Sequence, residues 1–170
     1  MNNKQILFTE QEIKNKVGEI AYNIKKREHD FPPVFICVLR GAFMFFTDLV
    51  KHMDECEIDF IRAKSYAGIT QGTVKITTSI DTDISRKDVY VIDDIFDTGE
   101  TMNELLRHLK LYDPKSVTPV TLFKRWSSNH PDLIYGFELT DESWLVGYGL
   151  DNEKGFQRNL KHILGVSKED

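Results

Sequence analysis

Hydrophobic and polar positions along the chain alternate between helix-like and strand-like periods. Thr9-Glu10-Gln11-Glu12 has the form of a capping box, and Ile13, Val17, Ile20, Ala21 and Ile24 then recur at helical spacing. This predicts a first helix over residues 10–28. Pro32-Pro33 ends it, and residues 34–39 form a continuous apolar run of the kind that makes a central strand covered on both faces. Arg40-Gly41 stops the run, and Phe43, Phe46, Leu49, Val50 and Met53 mark a second helix. Residues 58–64 read as another strand. The polar stretch from Ser65 and Tyr66 to Thr73 has two glycines and no steady period, so a mobile loop is expected, with residues 74–78 as the returning arm of a β-hairpin.

The most informative stretch follows. Residues 89–92 are β-branched or aromatic, the composition of a buried strand, and the run gives way to Asp93, Asp94 and Asp97. Thr98-Gly99-Glu100-Thr101 is a small polar turn, and residues 102–111 have a helical pattern. A strand, a short loop and a helix N-terminus together make an anion site, because the first N–H groups of a helix lack internal partners and lie at its positive end. Residues 117–123 read as a further strand ending at Lys124-Arg125. Two short extended pieces follow at 134–137 and 144–148, and the stretch 151–158 is polar loop.

Strands alternating with helices predict a parallel, doubly wound α/β sheet in one domain spanning the chain. Ligands of such sheets bind outside the carboxyl ends of the strands. The residues collected there are Arg40 and Gly41, Asp93 through Thr101, and Lys124-Arg125. Cations and carboxylates around a helix N-terminus suit a phosphorylated substrate held with Mg²⁺, which takes a carboxylate or two plus substrate oxygens. Singly, each has a blander reading: Asp93-Asp94 as turn residues, Asp97 as a helix cap, Arg40 and Lys124-Arg125 as solvated charges. Their shared position at strand ends favours the site.

Composition narrows the classes. At 41% hydrophobic residues and a mean hydropathy of -0.36, the chain has the make-up of an ordinary globular protein. It has no apolar run long enough for a membrane span and no apolar leader at its start, so a cytoplasmic location is expected. A net charge of -5 and a pI near 5.6 argue against coating nucleic acid. Cys37 and Cys56 form no CxxC pair and are expected to be reduced structural thiols, and the histidines are too scattered for a zinc site. Neither GxxxxGK[ST] nor GxGxxG occurs.

Residues 91–101, a hydrophobic strand with an acidic pair and a small phosphate loop, resemble the phosphoribosyl-pyrophosphate motif of the type I phosphoribosyltransferases. Residues 38–42 with 45–49 are similar to the pyrophosphate loop and helix of the hypoxanthine-guanine branch. Ser65-Tyr66 resembles the opening of its flexible loop, and Lys124-Arg125 and residues 145–151 resemble its purine-binding segments. The resemblance implies a twisted parallel sheet flanked by helices, with a small hood built from the chain termini and a flexible β-hairpin loop. It implies transfer of a 5-phosphoribosyl group from phosphoribosyl pyrophosphate to N9 of hypoxanthine or guanine, with Mg²⁺, in a homodimer or homotetramer. Asp97 matches the general base at purine N7, and Asp93 and Asp94 the holders of the ribose hydroxyls. Thr98, Gly99, Glu100 and Thr101 match the 5′-phosphate loop. Arg40, Gly41 and Arg158 match the pyrophosphate contacts, Lys124 the donor to a 6-oxo group, and Trp144 the stacking aromatic. The carbonyls of Leu145 and Asp151 match the groups facing the purine 2-position, and Asp93, Asp94 and Asp151 match the metal contacts. In this family a cis peptide often stands at the position of Leu39-Arg40.

The chain departs from the family pattern in three ways. Its acidic pair is Asp-Asp rather than Glu-Asp. One extra residue separates Asp151 from Arg158, leaving Gln157 as the alternative pyrophosphate contact. The flexible loop is short and lacks the usual Ser-Thr step. The alternatives to the hypoxanthine-guanine reading are a xanthine-preferring relative and an RNA-binding regulatory protein on the same scaffold.

Overall fold

The computed structural model describes residues 4–66, 73–140, 142–152 and 154–166. Among them nine strands and three α-helices follow in the order β1 (Lys4–Phe8), α1 (Glu10–Lys25), β2 (Val34–Leu39), α2 (Phe43–Val50), β3 (Glu57–Tyr66), β4 (Thr73–Ile76), β5 (Asp88–Phe96), α3 (Glu100–Leu109), β6 (Ser116–Arg125), β7 (Ile134–Leu139), β8 (Trp144–Val146) and β9 (Ile163–Val166), with a 3-10 turn at Lys110–Tyr112 after α3. The main sheet has the order β4-β3-β2-β5-β6-β7. All its pairs are parallel except β3 with β4, the expected hairpin. The residues between the hairpin arms, 67–72, lie outside the described part, as do the side chains of Ser65 and Tyr66.

The continuous apolar run of β2 is explained by its two covered faces. Val34, Ile36 and Val38 join Val89, Val91 and the α3 residues Met102, Leu105, Leu106 and Leu109 in one core. The alternate residues Phe35 and Cys37 join Tyr90, Ile92, Val120 and the inner faces of α1 and α2 in the other. Side chains alternate along a strand, so a strand packed on both sides has no polar face to keep. A second, three-stranded antiparallel sheet, β1-β9-β8, brings the two ends of the described chain together. No described helix is long and apolar enough to cross a membrane.

Helix α1 begins with the expected capping box, Thr9 Oγ1 accepting from Glu12 N–H and Glu12 Oε2 accepting from Thr9 N–H at 2.8 Å. It ends at Lys25 rather than residue 28, because Ile24 is its last core contact and Lys26 to Glu28 have no face to bury. The larger correction concerns β5. The strand does not stop at Ile92 but continues through Asp93 and Asp94 to Phe96. Pairing with β2 does end at Ile92, opposite Cys37, whereas pairing with β6 runs on to Phe96 opposite Lys124. Residues 93–96 are therefore laddered on one side and open on the other, and the apolar run ends where that open side begins.

Candidate active site

The open side of β5 faces the C-terminal end of β2, and from these two neighbours the chain departs in opposite directions: through α2 to β3, and through α3 to β6. This is the topological switch point, where open α/β sheets bind ligands. A cleft of about 210 Å³ lies there, lined by Asp93 through Gly99, Thr101 and Met102.

Both helices that start at this cleft lack a side-chain cap. Helix α3 is opened by Gly99 at φ 81°, a left-handed turn suited to glycine, and α2 by Ala42. Asp97 is therefore not a helix cap. A Cβ on Gly99 would meet the Phe96 ring at 2.7 Å, so the tight turn also depends on glycine for space. By contrast α1, which starts away from the cleft, is fully capped. Neither N-cap residue at the cleft supplies a capping side chain, and at the start of α3 Glu100 N–H donates to Thr98 Oγ1 at 3.4 Å.

Asp93 and Asp94 lie between them, each half-buried. Asp94 N–H donates to Asp93 Oδ1 at 2.9 Å, and Ile95 N–H donates to Asp94 Oδ1 at 2.7 Å. Loss of water, and then the adjacent charge of Asp94, push the Asp93 carboxyl well above its ordinary range. Asp94 is also raised by loss of water, with Ile95 N–H and the Arg158 charge among the opposing influences. Thr121 Oγ1, buried without a hydrogen-bond partner, lies on β6 in register with Asp93. The pair thus sits where hydroxyl donors and a cation would be favourable. Among the described residues no three acidic, histidine or cysteine side chains gather at one point, so Asp93, Asp94 and Asp151 do not form a protein-only metal cage. Nearby Cys37 is an inert thiol, pushed up to about 12 by burial and by the two aspartates.

The turn after β2 is pressed against this pair. The Leu39–Arg40 peptide is cis, and Arg40 is exposed. A Cβ on Gly41 would fall 1.5 Å from Asp94 Oδ2, so only a bare backbone fits beside that carboxylate. On its far side, a Cβ on Gly149 would fall 2.0 Å from the Gly41 carbonyl oxygen. Gly149 in turn accepts from Arg158 Nη1 at 2.6 Å, while Arg158 Nη2 pairs with Asp151 Oδ2 at 2.6 Å. Gln157 stands at φ 70°, and its Oε1 accepts from Asn152 Nδ2 at 3.3 Å.

At the other rim stand the ends of β6 and β8. Asp97 is exposed, 3.8 Å from the Nε of Arg125, and its carbonyl accepts from Ser128 Oγ. Arg125 Nη2 also donates to the Ser143 carbonyl at 2.9 Å. Lys124 is 7% exposed, with Nζ 2.8 Å from Glu138 Oε2 and 4.9 Å from the centre of the Tyr135 ring. Trp144 is 47% exposed and donates from Nε1 to the Asp151 carbonyl at 3.2 Å. Leu145 is buried in β8 opposite Gly165.

The phosphoribosyl transferase domain model matches residues 4–153. The chain belongs to the phosphoribosyltransferase family. Among relatives of this phosphoribosyltransferase is a hypoxanthine-guanine phosphoribosyltransferase of Bacillus subtilis, 37% identical over 97% of this chain and 93% of that one. A hypoxanthine-guanine-xanthine phosphoribosyltransferase of Tritrichomonas foetus is 34% identical over 98% of this chain and 92% of its own. A crystal structure of a hypoxanthine-guanine phosphoribosyltransferase from Bacillus anthracis, with a HEPES molecule in the active site, superposes with a TM-score of 0.89. It is 33% identical, covering 98% of this chain and 100% of that one.

Three contacts of this phosphoribosyltransferase's cleft escaped the reading of its sequence. Gly149 is a backbone neighbour of Gly41, and its only local signal is the Gly147-Tyr148-Gly149 spacing. Glu138, the partner of Lys124, becomes visible only once β6 and β7 are in register. Ser128, which fixes the Asp97 carbonyl, carries no signal of its own.

Proposed function

We propose that this phosphoribosyltransferase moves the 5-phosphoribosyl group of phosphoribosyl pyrophosphate to N9 of hypoxanthine or guanine, giving IMP or GMP and pyrophosphate. The observation that carries the reading is the half-buried Asp93-Asp94 pair set between two helix N-termini without side-chain caps. That arrangement is complementary to a sugar with hydroxyls in its middle and a phosphate at each end. The named relatives support the choice of purine bases.

In this reading the turn from Thr98 to Thr101 holds the 5′-phosphate with its N–H groups, and Asp93 and Asp94 accept from the ribose hydroxyls. Arg40, Gly41 and Arg158 hold the pyrophosphate, and Ser65 and Tyr66 begin the loop that excludes water from the activated sugar. The residues present suit Mg²⁺: Asp93 and Asp94 would hold it, with Asp151 through water, and substrate oxygens would complete the shell. When bound, Mg²⁺ spreads the charge of the departing pyrophosphate. As N9 bonds to the anomeric carbon and the bond to pyrophosphate breaks, Asp97 takes or shares the N7 proton. Lys124 donates to the 6-oxo group, Trp144 stacks on the base, and the carbonyls of Leu145 and Asp151 face the 2-position. A homodimer or homotetramer in the cytoplasm belongs to the same reading, and the exposed Ile58 and Phe60 on β3 support association.

The test is pyrophosphate release with hypoxanthine, guanine, xanthine, adenine or uracil, each with phosphoribosyl pyrophosphate and Mg²⁺. Hypoxanthine and guanine are expected to turn over, and adenine and uracil to fail. Asp97→Asn is expected to lower turnover by about 10²- to 10⁴-fold with sugar-phosphate binding retained. No turnover with any base would sink the reading.

A further inference from the structure

The purine segment around Trp144 to Asp151 and the turn after β2 come from opposite ends of the chain, yet they meet backbone to backbone at Gly149 and Gly41. Tyr148 lies immediately before Gly149. It is 5% exposed, sits in the left-handed region at φ 45°, and is flanked by Gly147 at φ 106° and Gly149 at φ 102°. A ring-bearing residue is held in that region only where its surroundings over-determine it.

Beside backbone bonds from Tyr148 N–H to the Leu160 carbonyl and from Gly149 N–H to the Arg158 carbonyl, both at 2.8 Å, two sets of side-chain contacts do so. The Tyr148 ring joins the core with Ile13 and Val17 beneath α1. Its hydroxyl donates to Asp48 Oδ2 of α2 at 2.7 Å, a hydrogen bond to a charged acceptor. Burial, and then the Asp48 bond and charge, push ionisation of the phenol upward, so it remains a donor. Asp48 belongs to α2, whose N-cap Ala42 directly follows Gly41. The bond therefore ties the purine segment to the element that follows the pyrophosphate turn.

We propose that Tyr148 and Asp48 are a positioning pair that keeps Gly149 seated on Gly41, and so sets the shape of the pyrophosphate turn from the purine side of the cleft. Neither residue touches substrate in this scheme. The pair acts through Gly149 and Gly41, and leaves the separate turn at the start of α3 alone. The inference rests on the function proposed above, and it predicts an asymmetric effect on the two anion turns.

The experiment is calorimetric titration of the full chain with two probes, magnesium pyrophosphate and ribose 5-phosphate. Y148F keeps the ring and removes only the donor. It is expected to weaken pyrophosphate binding by roughly fivefold to tenfold, the loss of one hydrogen bond, with ribose 5-phosphate affinity held within about twofold. D48A should match Y148F, whereas D48N, whose amide oxygen still accepts from the phenol, should bind both probes like the native protein. These two Asp48 variants carry the same contrast should Y148F fail to fold. Unchanged pyrophosphate binding in Y148F and D48A overturns the proposal, as does equal weakening of both probes, which marks a merely structural role. D48N as impaired as D48A overturns the hydrogen bond as the agent. Native protein that binds neither probe sinks the function reading and this inference together, whereas equal binding by native and variant proteins sinks the inference alone.

Discussion

Asp93 and Asp94 are held in a cleft that strips their carboxylates of water. Both carboxyls are raised, so between their unfolded range near 4 and their higher folded range the native state holds protons that the unfolded chain has released. Stability from this pair therefore falls as pH rises through that window. Asp94→Asn removes one of the two charges while keeping an acceptor for Ile95 N–H. The expected outcome is a higher melting temperature than native at pH 7, a gap that shrinks as pH falls toward about 4, and a loss of sugar-phosphate binding. A gap that widens toward acid would contradict the assignment. The carboxylates were legible in the sequence because acids rarely follow a buried strand without a task. Their closeness to Gly41 was not, since it depends on how far two neighbouring strands splay at the switch point.

At the scale of elements, helix α3 carries the face of the sheet opposite α1 and α2, and Leu105 at its centre is fully buried. Leu105→Ala is expected to cost about 2–5 kcal/mol in urea unfolding, since the sheet beneath cannot collapse to fill the gap. A loss under about 1 kcal/mol would mean that α3 packs more loosely than described. Helices and central strands could be read from the chain because their periods are local. The strand ends were less legible: β5 outruns its apolar stretch because pairing with β6 alone sustains it. Strands β1 and β9 had no local signal, being short and held in the small sheet they form with each other and β8, Lys4 opposite Val166.

In the whole molecule, β2 through β4 lie on one side of the cleft and β5 through β7 on the other, so a ligand that spans it bridges both halves of the sheet. Phosphoribosyl pyrophosphate with Mg²⁺ is accordingly expected to stabilise the fold as a unit, by about 2.7 kcal/mol at a hundred times its dissociation constant. Differential scanning calorimetry would show a single transition moved upward, and a transition that splits or stays fixed would count against a bridging ligand. The strand order carries a further consequence. The two anion turns leave the ends of adjacent strands, whose ladder holds them about 4.8 Å apart up to Cys37 and Ile92 and so sets where they open beyond that pair. The sheet thus works as a ruler. The gap between the two anionic ends of a ligand is gauged by the backbone rather than by either loop, and a longer bridge between them could be seated only by prising β2 from β5.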